Sequence, residues 1–225
     1  ARGTAAAIPA GPRMSLVANA LMFQACWLGF VAGAAHGRWW IGFTLLLPFA
    51  LWQLRVSRSP RADILLAGMA ALLGFAVDSA FVQGGLMRFS APVPWPGFAP
   101  VWIVGLWMAF ALTLNHSLRF LRQRPALALV LGTAAGPLAY WIAANAWDAV
   151  DLLRPWPAMA ALALAWGVPT PALVALAQRF ALREAGVPCA QSTSADSARE
   201  VHEFAAAVGF PLILKPRSGA GAAGT

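Results

Sequence analysis

Asp78, Arg88, Asn145 and Asp148 are the side chains in this sequence whose types and positions most readily suggest chemistry, because each lies in or beside a long apolar run. An acid at the centre of a bilayer costs about 2.5–3.5 kcal/mol on insertion scales, so one kept there usually has a role. Asp78 follows Gly74-Phe75-Ala76-Val77, about 15 residues into its run, which places it roughly 22 Å from the start of a helix. Arg88 ends the same run, and Asn145 and Asp148, three apart, share a helix face with Trp141. Together they could form a polar pocket on the outer side of a membrane, suited to a lipid headgroup, a proton or a cation. The plainer expectation is that Asp78 is a hydrogen-bonding group between helices. Tyr140 lies deeper, His36 and Arg38 cap the first outer turn, and Asn115 and His116 beside Arg119 read as a helix end at headgroup level.

A second constellation lies near the C-terminus. The apolar PLIL of residues 211–214 leads into Lys215-Pro216 and then Ser218-Gly219-Ala220-Gly221-Ala222-Ala223-Gly224-Thr225. A strand that delivers a lysine into a glycine-rich loop can cradle phosphate, with backbone N–H groups approaching the anion and the ammonium neutralising it. The lysine precedes the glycines, so this is not a Walker loop. A flexible small-residue tail is the plainer reading. Elsewhere no zinc-binding HExxH pair or Ser/His/Asp spacing is present. Cys26 and Cys189 make neither a disulfide framework nor a metal quartet, and no metal site is expected.

Composition says what holds these residues. Hydrophobic residues make up 60% of 225 and charged ones 11%, where a soluble domain carries about a quarter charged residues to wet its surface. Lipid is the solvent that explains the deficit. Six apolar segments are expected to span as helices, at about residues 14–35, 39–54, 63–86, 100–120, 126–147 and 156–176. The second is the weakest, being short and holding Pro48. Pro92, Pro94, Pro96, Gly97 and Pro100 make the connection before the fourth non-helical.

The chain has 16 basic residues against 8 acidic ones, but the arginines sit in clusters between apolar runs, which fits membrane topology better than nucleic acid. With the N-terminus inside, the inner segments carry Arg2, Arg13, Arg55, Arg58, Arg61, Arg119, Arg122, Arg124, Arg179 and Arg183. The outer loops carry only Arg38, Arg88 and Arg154. That bias predicts both termini in the cytoplasm, with anionic lipid as a possible partner of the inner clusters. Trp39, Trp40, Trp95, Trp102, Trp147 and Trp156 fall at expected outer ends, as an interfacial belt does. A signal peptide ending near Ala32-Gly33-Ala34 is the rival reading of the first span, but its apolar stretch exceeds the usual signal core. Gly29, Gly33 and Gly37, and Gly132 and Gly136, put small residues on one helix face; packing within the chain is expected of them ahead of a dimer interface.

Asn19–Trp27 (NALMFQACW), Asp78 with Ser79, Pro100–Trp107 (PVWIVGLW) and Gly136–Ala143 (GPLAYWIA) resemble an uncharacterised family of small bacterial multi-pass inner-membrane proteins. The resemblance covers residues 14–176 and brings no catalytic signature. It implies an inner-membrane protein, as an accessory or enzyme in envelope lipid metabolism.

After Leu176 the pattern turns amphipathic. Residues 178–185 read as a helix closed by Gly186, and Ser197 with Glu200 forms a capping box before a stripe of Val201, Phe204, Ala205 and Val208. This order, then EAGVP, GFPLILKP and the glycine-rich loop, resembles the opening of an ATP-grasp domain. The resemblance implies that Lys215 would contact ATP phosphates while Ser218, Gly219, Gly221 and Gly224 close over them, with Mg as companion ion if the domain continues. The family's adenine hinge and metal-binding acids have no counterpart in these residues, so the segment is expected to be incomplete and poor at binding ATP.

The expected organisation is therefore a basic leader at 1–13, an all-α six-helix membrane domain at 14–176 and a short soluble α/β segment at 177–225, a fragment or fusion. The leading expectation is an integral inner-membrane protein of unknown activity, an accessory or enzyme in envelope lipid metabolism. The alternatives are a membrane-tethered ATP-grasp ligase and a small transporter or channel subunit using Asp78.

Overall fold

The computed structural model describes residues 13–186 and 197–208. The chain divides into two compact units, Ala1–Val187 and Pro188–Thr225. The first contains helices α1 (Arg13–Ala35), α2 (Ile41–Val56), α3 (Pro60–Gln83), α4 (Val101–Leu114), α5 (Pro125–Asn145), α6 (Pro155–Gly167) and α7 (Pro169–Glu184). Two short strands, β1 (Arg88–Phe89) and β2 (Val150–Asp151), pair antiparallel with Arg88 opposite Asp151.

From α1 to α5 the helices run alternately up and down, α6 and α7 follow one another in one direction, and cross-links at the two ends of the bundle fix this. At one end, near the start of α1, Asn19 bonds to Gln53 at the end of α2 and to the Leu112 carbonyl at the end of α4. Asp63 in the first turn of α3 meets Asn115 and His116 just beyond α4. The Glu184 carboxylate at the end of α7 accepts from the Arg61 and Ala62 N–H groups at 3.1 and 2.7 Å, satisfying donors that a helix start leaves open. At the opposite end the strands tie the ends of α3 and α5, Trp102 Nε1 donates to the Ser90 carbonyl, and the Arg154 N–H donates to Leu86 O. We call these the basic end and the strand end. The basic end holds Arg55, Arg58, Arg61, Arg119, Arg122, Arg124, Arg179 and Arg183, while the strand end holds Arg38, Arg88 and Arg154.

Glycines bring the helices close. Phe30 of α1 lies against both Gly42 of α2 and Gly105 of α4, and Trp107 of α4 lies against Gly74 of α3. Gly132 and Gly136 of α5 lie against Thr170 and Trp166, while Gly29 and Gly33 face Leu45 and Ile41. Gly29 and Gly33, and Gly132 and Gly136, therefore serve contacts within the chain, whereas Gly37, expected on the same stripe, meets no neighbour among the described residues. Gly37, at φ 71°, turns the chain between α1 and α2.

The bundle's outside is apolar. Leu21, Leu47, Leu72, Leu138 and Leu164 are exposed large hydrophobic residues, spread over different helices. Four helical stretches, Leu16–Ala35, Pro60–Gln83, Pro125–Asn145 and Pro155–Glu184, are long and apolar enough to cross a bilayer, and only 28–39% of them is buried within the protein. The rest of their surface needs an apolar solvent, which points to a membrane protein.

Six spans were expected, and length supports four. Ile41–Val56 and Val101–Leu114 have 16 and 14 residues, about 24 and 21 Å of helix against a hydrocarbon core of about 30 Å. The fourth segment stops early because residues 115–118 form turns and Arg119–Gln123 a 3-10 helix, where a single helix to residue 120 was expected.

The expected helix at 178–185 is the end of α7, which runs unbroken across residue 176 and stops before Gly186 at φ 66°. Within the second unit, α8 (Ala198–Val208) begins with the Glu200 N–H donating to Ser197 Oγ at 3.3 Å, one half of the expected capping box. Phe204 is partly buried and Ala205 buried on its apolar stripe.

Candidate functional site

Asp78 is completely buried. Its Oδ1 accepts from the Tyr140 hydroxyl at 2.6 Å and its Oδ2 from Trp107 Nε1 at 2.8 Å. Asp78, Trp107 and Tyr140 stand five, six and five residues from the strand-end termini of α3, α4 and α5, so all three sit about 8–9 Å inside that end. Gly74, one turn before Asp78, leaves room for the Trp107 indole to lie against α3 and present its N–H to the acid. Neither donor carries a positive charge. Two neutral donors therefore hold a carboxyl group in a low-dielectric interior, where each bond gains strength and an orphaned partner is costly.

The expected pocket divides differently. The structure does not bring Arg88, Asn145 or Asp148 into hydrogen bonding with Asp78. Asn145 donates to the Trp141 carbonyl of its own helix at 2.8 Å, and Asp148, at φ 56°, offers its carbonyl to Ser90 Oγ. Arg88 lies exposed in β1. These three belong to the strand-end cap because α5 ends at Asn145 and turns there, while Tyr140, a turn and a half deeper, faces Asp78. Lys215, Ser218, Gly219, Gly221 and Gly224 lie outside the described residues.

Trp107 and Tyr140 also face a cavity. Their outer sides line an apolar cleft of about 710 Å³ between α1, α4 and α5, with Phe23, Trp27, Trp102 and Trp166 among its walls. Trp166 stacks on Trp107 with ring centres 4.2 Å apart, and Phe110 meets Trp166 edge-on at 5.3 Å. Trp166 Nε1 is buried without a partner. The cleft runs from Trp102 and Val150 near the strand end to Ser117 and Leu121 near the basic end. Leu131, Leu138 and Phe120 line it and are also exposed, so its mouth opens sideways through the bundle's apolar surface.

A second polar layer lies at the basic end. Asp63, also fully buried, accepts from Asn115 Nδ2 at 2.7 Å and pairs with His116 Nε2 at 2.9 Å. Asn115 Oδ1 accepts from Arg122 Nη2 at 2.6 Å. Beside it, Asn19 donates to Gln53 Oε1 at 2.6 Å and to Leu112 O at 3.1 Å, and accepts from Ser117 Oγ at 2.6 Å. Burial, and then the neighbouring Arg119 charge, push the Arg122 guanidinium below its ordinary range, while Asp63 pulls it back. Sequence reasoning placed Asn115 and His116 at a helix end, which is where they sit, but missed Asp63, Asn19 and Gln53 as their setting. The available signal was that each is a polar residue within a few positions of the end of an apolar run.

A laterally open helical bundle with buried carboxyls in two layers is a polytopic membrane-type architecture. Residues 16–172 match the family described as "Protein of unknown function (DUF2878)", and the chain belongs to that family. Residues 176–225 are similar to the ATP binding domain of the carbamoyl-phosphate synthase L chain. No curated protein and no solved structure matches the chain.

Proposed function

We propose that this protein is an inner-membrane lipid-binding protein, an accessory or enzyme of envelope lipid metabolism, which receives an apolar chain in the cleft between α1, α4 and α5. The observation that carries the reading is the cleft itself: about 710 Å³, walled by aromatic residues and open sideways where the bundle meets lipid. Pockets of about 300–1,000 Å³ accommodate small ligands, and a chain already dissolved in the bilayer enters through such a mouth without crossing water. Tyr140, bonded to the buried Asp78, is the polar group at the cleft wall that could orient a bound molecule or exchange a proton with it.

On this reading all six helical passes lie in the membrane, with α6 and α7 forming one of them and the short α2 and α4 lined by their longer neighbours. Retention of basic segments in the cytoplasm puts the basic end inside, and with it the start of α1 and the end of α7.

Two cleft residues test the reading. Ala20 and Ala135 line the cleft and are exposed, so Ala20→Trp with Ala135→Trp fills it without disturbing the core. Delipidated protein titrated with phospholipid in native mass spectrometry should retain bound lipid, and the filled variant should lose it. Equal retention by a folded filled variant refutes the cleft as the binding site.

A second reading rests on the similarity of residues 176–225 to an ATP-binding domain. It makes the chain a membrane-tethered ATP-grasp ligase in which Lys215 and the following glycines hold nucleotide phosphates.

A further inference from the structure

Three arginines of the basic end lie within six residues of one another. Arg119, Arg122 and Arg124 line a cavity of about 410 Å³ with Gln123, Gln178 and Phe120, between the 3-10 helix and α7. Among the described residues none of the three forms an ion pair. The carboxylates at this end are engaged elsewhere: Asp63 by Asn115 and His116, Glu184 by the backbone at the start of α3. Arg122 is fixed through Nη2 on Asn115, but its Nε is buried and unpartnered. Burial first, then the Arg119 charge, lowers the affinity of Arg122 for its proton. An anion between the three guanidinium groups would raise it.

Position and shape select the anion. Phe120 lines both this cavity and the apolar cleft, so the two sites adjoin at one side chain. The arginines follow the last apolar residue of α4 and precede the first turn of α5, the level at which headgroups lie when these helices span. Guanidinium forks match phosphate oxygens in pairs, and several around one group give a directional site. We propose that Arg119, Arg122 and Arg124 bind the phosphate of an anionic lipid whose chain occupies the adjacent cleft. This assignment rests on the cleft reading above and adds the substrate class.

The test uses the full chain, delipidated in detergent, in native mass spectrometry. Phosphatidylglycerol, phosphatidylcholine with the same chains and inorganic phosphate are compared. Phosphatidylglycerol should bind about tenfold or more tightly than phosphatidylcholine, since each interfacial cation favours anionic lipid severalfold. Arg119→Gln with Arg124→Gln leaves the Arg122–Asn115 bond intact; it should weaken phosphatidylglycerol binding about tenfold and bring it level with phosphatidylcholine. Equal binding of both lipids, or a preference that survives the double variant, overturns the headgroup site and leaves the cleft reading standing. Failure of both lipids to bind overturns both readings. Displacement of phosphatidylglycerol by inorganic phosphate at equal concentration assigns the site to free phosphate and overturns the lipid.

Discussion

The Tyr140 hydroxyl meets Asp78 Oδ1 at 2.6 Å, linking α5 to α3 across 62 residues of sequence and placing a buried acid one side chain away from the apolar cleft. Trp107 supplies the other bond at 2.8 Å. The acid is therefore both a tie between helices and the group behind the cleft wall, and substitutions separate these roles.

Asp78→Asn preserves an acceptor for Trp107 and gives an amide N–H to the Tyr140 oxygen, so thermal stability in detergent should stay near that of the native protein. Asp78→Leu orphans both donors and should cost about 1–3 kcal/mol for each buried group left without a partner. If the pair serves only architecture, Asp78→Asn also keeps lipid handling intact. A stable Asn variant that fails in a cellular complementation assay assigns the acid a role in function.

Asn19 joins α1, α2 and the end of α4 through Gln53, Leu112 and Ser117. Asn19→Ala removes a donor and an acceptor at once and should destabilise by about 2–3 kcal/mol. Gln53→Ala should add less in the Asn19→Ala background than alone, and a double-mutant cycle read by denaturation measures that coupling. Strict additivity contradicts the network.

Glu184 closes the start of α3 from the far end of α7. Glu184→Ala should cost about 0.5–2 kcal/mol, the range for a lost helix cap. Hydrogen exchange should rise at the Arg61 and Ala62 amides and stay unchanged at the strand end. Faster exchange throughout the bundle argues against a local cap.

Gly136 lies against the Trp166 ring, and an added side chain meets that indole. Gly136→Val should cost about 1–3 kcal/mol by overpacking and should weaken lipid retention by shifting a cleft wall. Native stability in this variant shows that α5 and α6 are free to separate.

Orientation is tested by labelling with a membrane-impermeant thiol reagent in intact cells, with Cys189 replaced by Ser. A cysteine at Phe98, in the strand-end loop, should label, and one at Ser57, at the basic end, should not. The opposite pattern inverts the proposed topology.

Sequence alone determined the elements that composition and local geometry control. Long apolar runs with almost no charge require helices in an apolar solvent, proline clusters and Gly186 end them, and spaced glycines mark where backbones approach. Asp78 was legible as an expensive residue for the same reason. Its partners were not. Helical periodicity says which residues share a face, and Asn145 does share one with Trp141, but Asp148 lies beyond the end of α5 at φ 56°, and the rotation of each helix about its axis is set by packing. Gly74 against Trp107 fixes α3 to α4, and Gly136 against Trp166 fixes α5 to α6, and those contacts turn Tyr140 towards Asp78 and leave Asn145 and Arg88 at the cap. The cleft and the Asp63 layer likewise exist only once several helices meet, because a void and a hydrogen bond 52 residues apart in sequence are properties of their relative placement.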